Sequence, residues 1–529
     1  MATASANRVA GRASRREGID HVLAAVLAIV AGLVSALFSW VPSFWTDEAA
    51  SIASADRPLA EIGALIGSID AVHAVYYVAL HVWSLVVGDD EFGIRALSVA
   101  AVVLATAGTY WLGRLTGSRA LGVAGALVFA VLPRVTWAGI EARPFALALA
   151  AAVWATVLLV VAARRRRAGW WIAYAVVAGL AVATNIYAAL LVVAHGLTLL
   201  LLRSGRGVLL RWLGAAVAAA VLSSPVLVLA LSESGQIADN RIGAGEWLRN
   251  VVVNQWFLGG TPTGVLPEHG TPVWQVAALA AAGIGWLLVL VGVVGALRGR
   301  HGATGPGVSR PSVSTSVAWG VPAVVLPTAA LGASLLLADP IYNPRYLTFT
   351  SFAVAVLIGA GLLVLRRNAL RVVAVLLLVV AVAPVWWSQR TPDAKSGSDY
   401  RAAAEYLRDH AQPGDGIYYS ALTTEPGRLV GATTRRVAVA YPQDLSRLTD
   451  VTWAEDATSA DTIDDLSRPL AQVSNRLRTE DRLWVVRRVD TPQAQRSADD
   501  AVLRAAGLTG GRTVYSGSFE QIAEYTRAG

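Results

Sequence analysis

Apolar runs of about 20 residues recur along the first three quarters of this chain, and that recurrence limits the fold more than any other feature. A helix of this length crosses a hydrocarbon core of about 30 Å. Helices and closed barrels are the only backbones that satisfy their own hydrogen bonds there. About eleven such runs are legible, near 21–42, 93–113, 119–138, 145–163, 169–185, 187–202, 209–231, 272–297, 315–338, 346–365 and 371–388. Composition agrees: 529 residues that are 55% hydrophobic and 15% charged, with mean hydropathy +0.53, lie outside the range of ordinary soluble domains. The expected fold class is a polytopic α-helical membrane protein with about 11 transmembrane helices.

Arginines mark the orientation. Arg8, Arg12, Arg15 and Arg16, then Arg114 and Arg119, Arg164 to Arg167, Arg203, Arg206 and Arg211, Arg298, Arg300 and Arg310, and Arg366, Arg367 and Arg371 fall in alternate connections. The positive-inside tendency makes those connections cytoplasmic. The acids from Asp47 to Asp339 then lie on the other side. The expected localisation is the plasma membrane, multi-pass, with a cytoplasmic N-terminal tail over 1–20 and an extracytoplasmic C-terminal domain. The first apolar run is too long for a signal peptide, and no small-residue cleavage site precedes Trp45. From Arg390 onward there are 18 basic and 20 acidic residues, so the basic balance belongs to the membrane part. Short, scattered basic loops argue against nucleic acid as a partner. With no cysteine, disulfides and thiolate metal sites are excluded. One lysine among 44 basic residues reads as a GC-rich genome.

The expected domains are the tail 1–20, a transmembrane catalytic domain 21–389, and an α/β domain 390–529. Within the second, loop 43–92 holds two juxtamembrane helices. One places Leu59, Ile62, Leu65 and Ile66 at helical spacing, and the other runs from His73 to Val87. Loop 232–271, with Gln236, Asp239, Asn240, Trp247, Gln255, Trp256 and Gly259-Gly260, reads as either a lid or an ordinary exposed loop. In the tail, Tyr400 to Leu407 and Ala498 to Ala506 predict helices, and Pro413 to Gly416 a turn. Ile417 to Tyr419, Val437 to Tyr441, Leu483 to Val486 and Arg512 to Tyr515 predict strands.

Ionisable side chains at the ends of spans are costly unless they face water, a partner or a substrate. Four clusters stand there. They are Asp47-Glu48 after Phe44-Trp45, Glu141-Ala142-Arg143-Pro144 with Arg134 nearby, His73 with Tyr76 and Tyr77, and Asp339 to Tyr346. Arg143 and Arg345 run against the positive-inside tendency. Each is suited either to a phosphate, through two parallel hydrogen bonds, or to an ion pair with Glu141 or Asp339. Glu91 and Arg95 have the spacing of a structural helix pair. No HxxxH or HExxH spacing supports a metal, and a divalent cation is left open.

The series Trp45-Thr46-Asp47-Glu48-Ala49, His73-Ala74-Val75-Tyr76-Tyr77 with Leu80-His81-Val82-Trp83, Glu91 to Arg95, Glu141-Ala142-Arg143 and Arg345-Tyr346-Leu347 resembles the GT-C superfamily of lipid-dependent glycosyltransferases. The likeness is to the bacterial, family-39-like branch related to protein O-mannosyltransferases and aminoarabinose transferases, over about residues 20–390. It implies transfer of a sugar, mannose first and arabinose second, from a polyprenyl-phosphate donor to a hydroxyl on a cell-envelope glycan, lipid or protein. By that resemblance Asp47 is the catalytic base with Glu48 beside it, and Glu141 matches the second acidic position. Here Glu-Ala-Arg-Pro stands where some relatives place Asp directly before Pro. Arg143 and Arg345 are then the cations for the donor phosphate, and His73, Tyr76, Tyr77 and Tyr346 the substrate contacts. A transporter or flippase of a lipid-linked substrate is the competing class. It is disfavoured because transporters place such residues near the midplane of repeated halves.

Overall fold

The computed structural model describes residues 2–232, 241–258, 272–301, 313–337, 340–423, 428–460 and 462–528. Helices come in chain order: α1 (Ala2–Ala36), α2 (Thr46–Ala55), α3 (Leu59–Ser68), α4 (Ala74–Val87), α5 (Glu91–Thr116), α6 (Arg119–Val131), α7 (Pro133–Ala138) and α8 (Phe145–Arg165). Next are α9 (Ala168–Thr184), α10 (Ala189–Leu201), α11 (Arg206–Ser232), α12 (Ala244–Arg249), α13 (Val273–His301), α14 (Val313–Ala333), α15 (Ser351–Val364) and α16 (Asn368–Ser388). The tail adds α17 (Tyr400–His410), β1 (Gly416–Tyr419), α18 (Arg436–Ala440), α19 (Pro442–Leu445), β2 (Thr449–Asp450), β3 (Trp453–Glu455), β4 (Leu466–Ser467) and α20 (Ser474–Leu477). It ends with β5 (Arg482–Arg488), α21 (Gln493–Ala505), β6 (Leu508–Ser516) and β7 (Glu520–Arg527).

Two compact units divide the described residues. The first holds those up to Ser39 and those from Arg95 to Ser388; the second holds Trp40–Ile94 and those from Gln389 onward.

In the first unit every one of the expected apolar runs falls on a helix. Among the described residues, eight helices are long and apolar enough to cross a membrane. Three of the runs fall on shorter apolar helices, Arg119–Val131, Ala168–Thr184 and Ile186–Leu201. The run 119–138 is two helices rather than one. Pro133 drives Leu132 to φ −63°, ψ 123°, which closes α6, and then opens α7 at its first position.

The most enclosed span is Pro344–Val364, 89% buried, a 3₁₀ turn (Pro344–Thr350) running into α15. Its glycines permit this. A Cβ on Gly361 would lie 1.9 Å from the Leu288 carbonyl oxygen of α13, and one on Gly359 would lie 2.9 Å from the Gly125 nitrogen of α6. Small residues let helix backbones approach where the hydrophobic effect does not drive association. Where loop 232–271 is described, its first part, 241–249, is largely exposed. After α12, Asn250–Leu258 forms a π-helical stretch with Gln255, Trp256 and Phe257 buried. Gln236, Asp239, Asn240, Gly259 and Gly260 lie outside the described residues, as does Asp339.

The second unit joins the helices α2, α3 and α4 to a five-stranded sheet of order β2-β1-β5-β7-β6. Strands β2, β1 and β5 are parallel, while β7 pairs antiparallel with β5 and β6. In α17, Tyr400, Ala403, Ala404 and Leu407 are buried at helical spacing. The strand expected at Val437–Tyr441 is instead the helix α18. Val437 and Ala440, three residues apart, are its buried pair, and an apolar run this short fits either period. Strand β7 has no clear signature in the sequence, because Glu520, Gln521, Glu524 and Thr526 interrupt its apolar residues.

Candidate functional site

The chain entering α2 is held by residues of the tail. Arg401 donates to the carbonyls of Trp40 (2.8 Å) and Val41 (3.0 Å), and its backbone N–H donates to Ser43 Oγ (3.1 Å). The Phe44 N–H donates to Tyr441 Oη (3.0 Å), and the Phe44 carbonyl accepts from Ser398 Oγ (2.7 Å). Thr46 Oγ1 pairs with Tyr400 Oη (3.0 Å), and the Thr46 carbonyl accepts from Arg436 Nη1 (3.3 Å). Arg436 is itself gripped by Asp464 through two bonds, 2.9 and 2.7 Å. Burial works against its charge, but Asp464, Tyr400 and Asp47 together raise its pKa.

Trp45 is extended at φ −131°, ψ 176°, and the helix starts on Thr46. Asp47 and Glu48 therefore occupy the first turn, where uncapped N–H groups and the helix dipole favour negative charge. Glu48 is fully buried and Asp47 half-buried.

Glu91 does not make the expected pair with Arg95. Its Oε1 accepts from Arg401 (2.6 and 2.9 Å) and Tyr441 (2.8 Å), while Arg95 donates to the Ser39 carbonyl (2.7 Å). The tail's guanidinium has the better geometry, a charge-assisted contact from two nitrogens. Burial, with Glu91 beside it, pushes the Tyr441 hydroxyl up to about 12.

His73 and the two tyrosines are organised by a residue that sequence reading missed. Asp70, at φ 63°, accepts from His73 Nδ1 (2.5 Å) and from the Tyr77 hydroxyl. The His73 and Tyr77 rings stack at 5.8 Å. Asp70 thereby fixes the Nδ1–H tautomer. Tyr76 and Tyr77 are fully buried. An acid three residues before His73 and seven before Tyr77 was the available signal.

In the first unit, Glu141 is fully buried in the turn between α7 and α8. Its carbonyl accepts from Ser98 Oγ (2.6 Å) and from the Arg143 N–H (2.8 Å), which sets the turn; Arg143 is half-buried. Arg134 is fully buried, 4.9 Å over the Trp137 ring, with Nε and Nη2 donating to the carbonyls of Gln255 (2.9 Å) and Asn254 (2.6 Å). Tyr342, Arg345 and Glu141 all act electrostatically on that guanidinium, so the fold gathers these four residues. Asn343 caps the 3₁₀ turn by accepting from the Arg345 N–H (3.1 Å), and the half-buried Arg345 guanidinium lies 5.8 Å from the Tyr346 ring. Tyr346 stacks on Tyr187 at 5.3 Å, and its carbonyl accepts from Asn185 Nδ2 (2.9 Å). Tyr342 donates to Gln255 Oε1 (3.1 Å). Tyr342 falls within the cluster Asp339 to Tyr346, whereas Tyr187 and Asn185 lie in segments whose pattern reads only as span ends. Among the described residues, no three His, Asp or Glu side chains are grouped as metal ligands.

With this geometry in hand, the fold has known counterparts. The structure of ArnT from Cupriavidus metallidurans in the apo state is similar with a TM-score of 0.55 at 13% identity, over 95% of this chain and 97% of that one. The structure of the same protein bound to undecaprenyl phosphate gives 0.53, with the same identity and coverage. The arabinofuranosyltransferase AftD from Mycobacteria gives 0.48 at 16% identity, over 96% of this chain and 40% of that one. The chain thus shares the fold of the ArnT structures, a polytopic helical membrane protein with a sheet-containing C-terminal domain. The model of the dolichyl-phosphate-mannose-protein mannosyltransferase family matches residues 74–229, which include Tyr76, Tyr77, Glu141 and Arg143. No curated protein matches the sequence.

Proposed function

We propose that this chain is a membrane glycosyltransferase that moves a sugar from a polyprenyl-phosphate donor to an acceptor hydroxyl at the extracytoplasmic face of the plasma membrane. Mannose is the first choice of sugar and arabinose the second. The observation that carries the reading is Asp47, a half-buried carboxylate in the first turn of a helix directly after the first span, on a backbone segment tied down at nearly every residue. The match to the mannosyltransferase family and the GT-C fold support it.

The acceptor oxygen attacks the anomeric carbon from the face opposite the phosphate, and its proton passes to Asp47. The bond from that carbon to the phosphate oxygen breaks, its electron pair leaves on polyprenyl phosphate, and the anomeric centre inverts. Arg143 and Arg345 are assigned to the departing phosphate, whose growing charge a guanidinium neutralises. Glu48 and Glu141 are assigned to positioning, and His73, Tyr76, Tyr77 and Tyr346 to substrate contact. General-base catalysis contributes roughly 10²–10⁴-fold, so Asp47→Asn is expected to lose sugar transfer by about that factor while remaining folded. A panel of polyprenyl-phosphate sugars, with donor breakdown measured on purified protein, tests this. Undiminished turnover in the folded variant removes Asp47 from the role.

A further inference from the structure

From Ala142 to Ser232 the sequence contains no Asp or Glu, yet it carries Arg164 and Arg165 in the last turn of α8, Arg166 and Arg167 between α8 and α9, and Arg206 and Arg211 at the start of α11. The positive-inside tendency explains why arginines collect at these helix ends. It does not explain the groove they border.

Helices α9 and α11 touch closely farther along, where a Cβ on Gly179 would lie 3.1 Å from the Ala219 carbonyl. Near their arginine-bearing ends they leave a groove of about 370 Å³. Arg166 and Arg211 form its polar rim, and Trp171, Ala175, Gly214 and Ala218 are among its apolar lining. A Cβ on Gly214 would meet nothing within 4 Å. Helix α11 is peripheral, with only 17% of its most apolar stretch buried.

The rim is cationic and preset. Arg211 Nη1 donates to the Arg166 carbonyl (3.1 Å), and both side chains are exposed. Among the described residues no carboxylate pairs with either. In the groove's lining, Trp171 is 6% exposed, and its buried indole N–H has no acceptor among the described residues.

We infer that this groove binds an anionic glycerophospholipid of the surrounding leaflet. Its phosphate sits between Arg166 and Arg211, and an acyl chain runs along Gly214 and Ala218. Basic pockets between spans recognise such headgroups by charge. A lipid with a cationic headgroup would bring its ammonium against the same arginines.

Delipidated protein in detergent, titrated with phosphatidylglycerol or phosphatidylcholine of matched chains and read by native mass spectrometry, tests the inference independently of sugar transfer. Phosphatidylglycerol should bind at least tenfold more tightly than phosphatidylcholine. That preference should fall at least tenfold in the double variant Arg166→Gln/Arg211→Gln. It should fall equally in Gly214→Leu, which fills open space and leaves every charge in place. Equal binding of the two lipids, or phosphatidylglycerol binding that survives Gly214→Leu, overturns the inference. Displacement of the lipid by millimolar inorganic phosphate also overturns it, since the site would then be one for phosphate alone.

Discussion

Arg436 connects the tail to the turn that carries Asp47, and its removal has a worked consequence. In Arg436→Ala, the two-bond pair with Asp464 is lost along with the contact to the Thr46 carbonyl, one residue before Asp47. The paired side chains are 22% and 17% exposed. Charge-assisted bonds contribute about 1.5–3 kcal/mol each. Asp464 regains part of this from water, so the local loss is about 2–4 kcal/mol. The Tyr400 contact to Thr46 remains, so α2 is expected to loosen rather than unfold.

A displacement of about 1 Å costs on the order of 10²-fold in rate, so kcat should fall about 10- to 100-fold if Asp47 is the base, with the donor KM within about threefold. Arg436→Lys should not rescue, because an ammonium cannot form the fork. Tyr400→Phe acts on the same residue, and combining it with Arg436→Ala should depart from additivity by at least about 0.5 kcal/mol. Turnover of a polyprenyl-phosphate sugar at saturating donor, with hydrogen exchange across 44–50, is the assay. Exchange that rises while kcat stays within twofold of wild type would refute the link between this contact and the base.

Two further outcomes concern stability. Burial raises Asp499 from 3.8 to about 6, only partly offset by Arg487 and Tyr418. Its neutral form is favoured in the fold, so its stabilising contribution is full below about pH 4 and is lost as pH rises through about 6. Asp499→Asn should therefore unfold later than wild type at pH 7.5, by about 3 kcal/mol at about 1.4 kcal/mol per unit, and equally below pH 4. A wild type more stable than the variant at pH 7.5 would contradict the sign. Gly361→Leu drives a side chain into the Leu288 carbonyl and should cost about 3 kcal/mol or more. Thermal unfolding in detergent should show it, and an unchanged midpoint would mean that α13 and α15 are not held in this contact.

Much of the architecture is legible locally, because hydropathy over 20 residues and helical spacing over ten are properties of a short window. The apolar runs, α3, α4, α17 and α21, and the cores of β1, β5 and β6 all follow from such windows. The errors have a common origin. Val437 to Tyr441 is too short to distinguish the two periods, β7 carries polar residues that only its sheet neighbours make acceptable, and Pro133 divides a run that hydropathy reads as one.

For the candidate site, chain position alone puts Asp47-Glu48 at the end of the first apolar run, and sequence supplies Glu141-Ala142-Arg143 and Arg345-Tyr346 as span-end clusters. What those residues touch was decided by folding. Thr46 meets Tyr400 and Arg436 across more than 350 residues, Glu91 takes Arg401 rather than Arg95, and Arg134 finds its carbonyls at Asn254 and Gln255. Spans are set by the transfer free energy of a local segment. A polar partner is chosen by whichever distant group arrives with the right geometry once apolar surfaces have packed, so it has no signature in any single stretch of sequence.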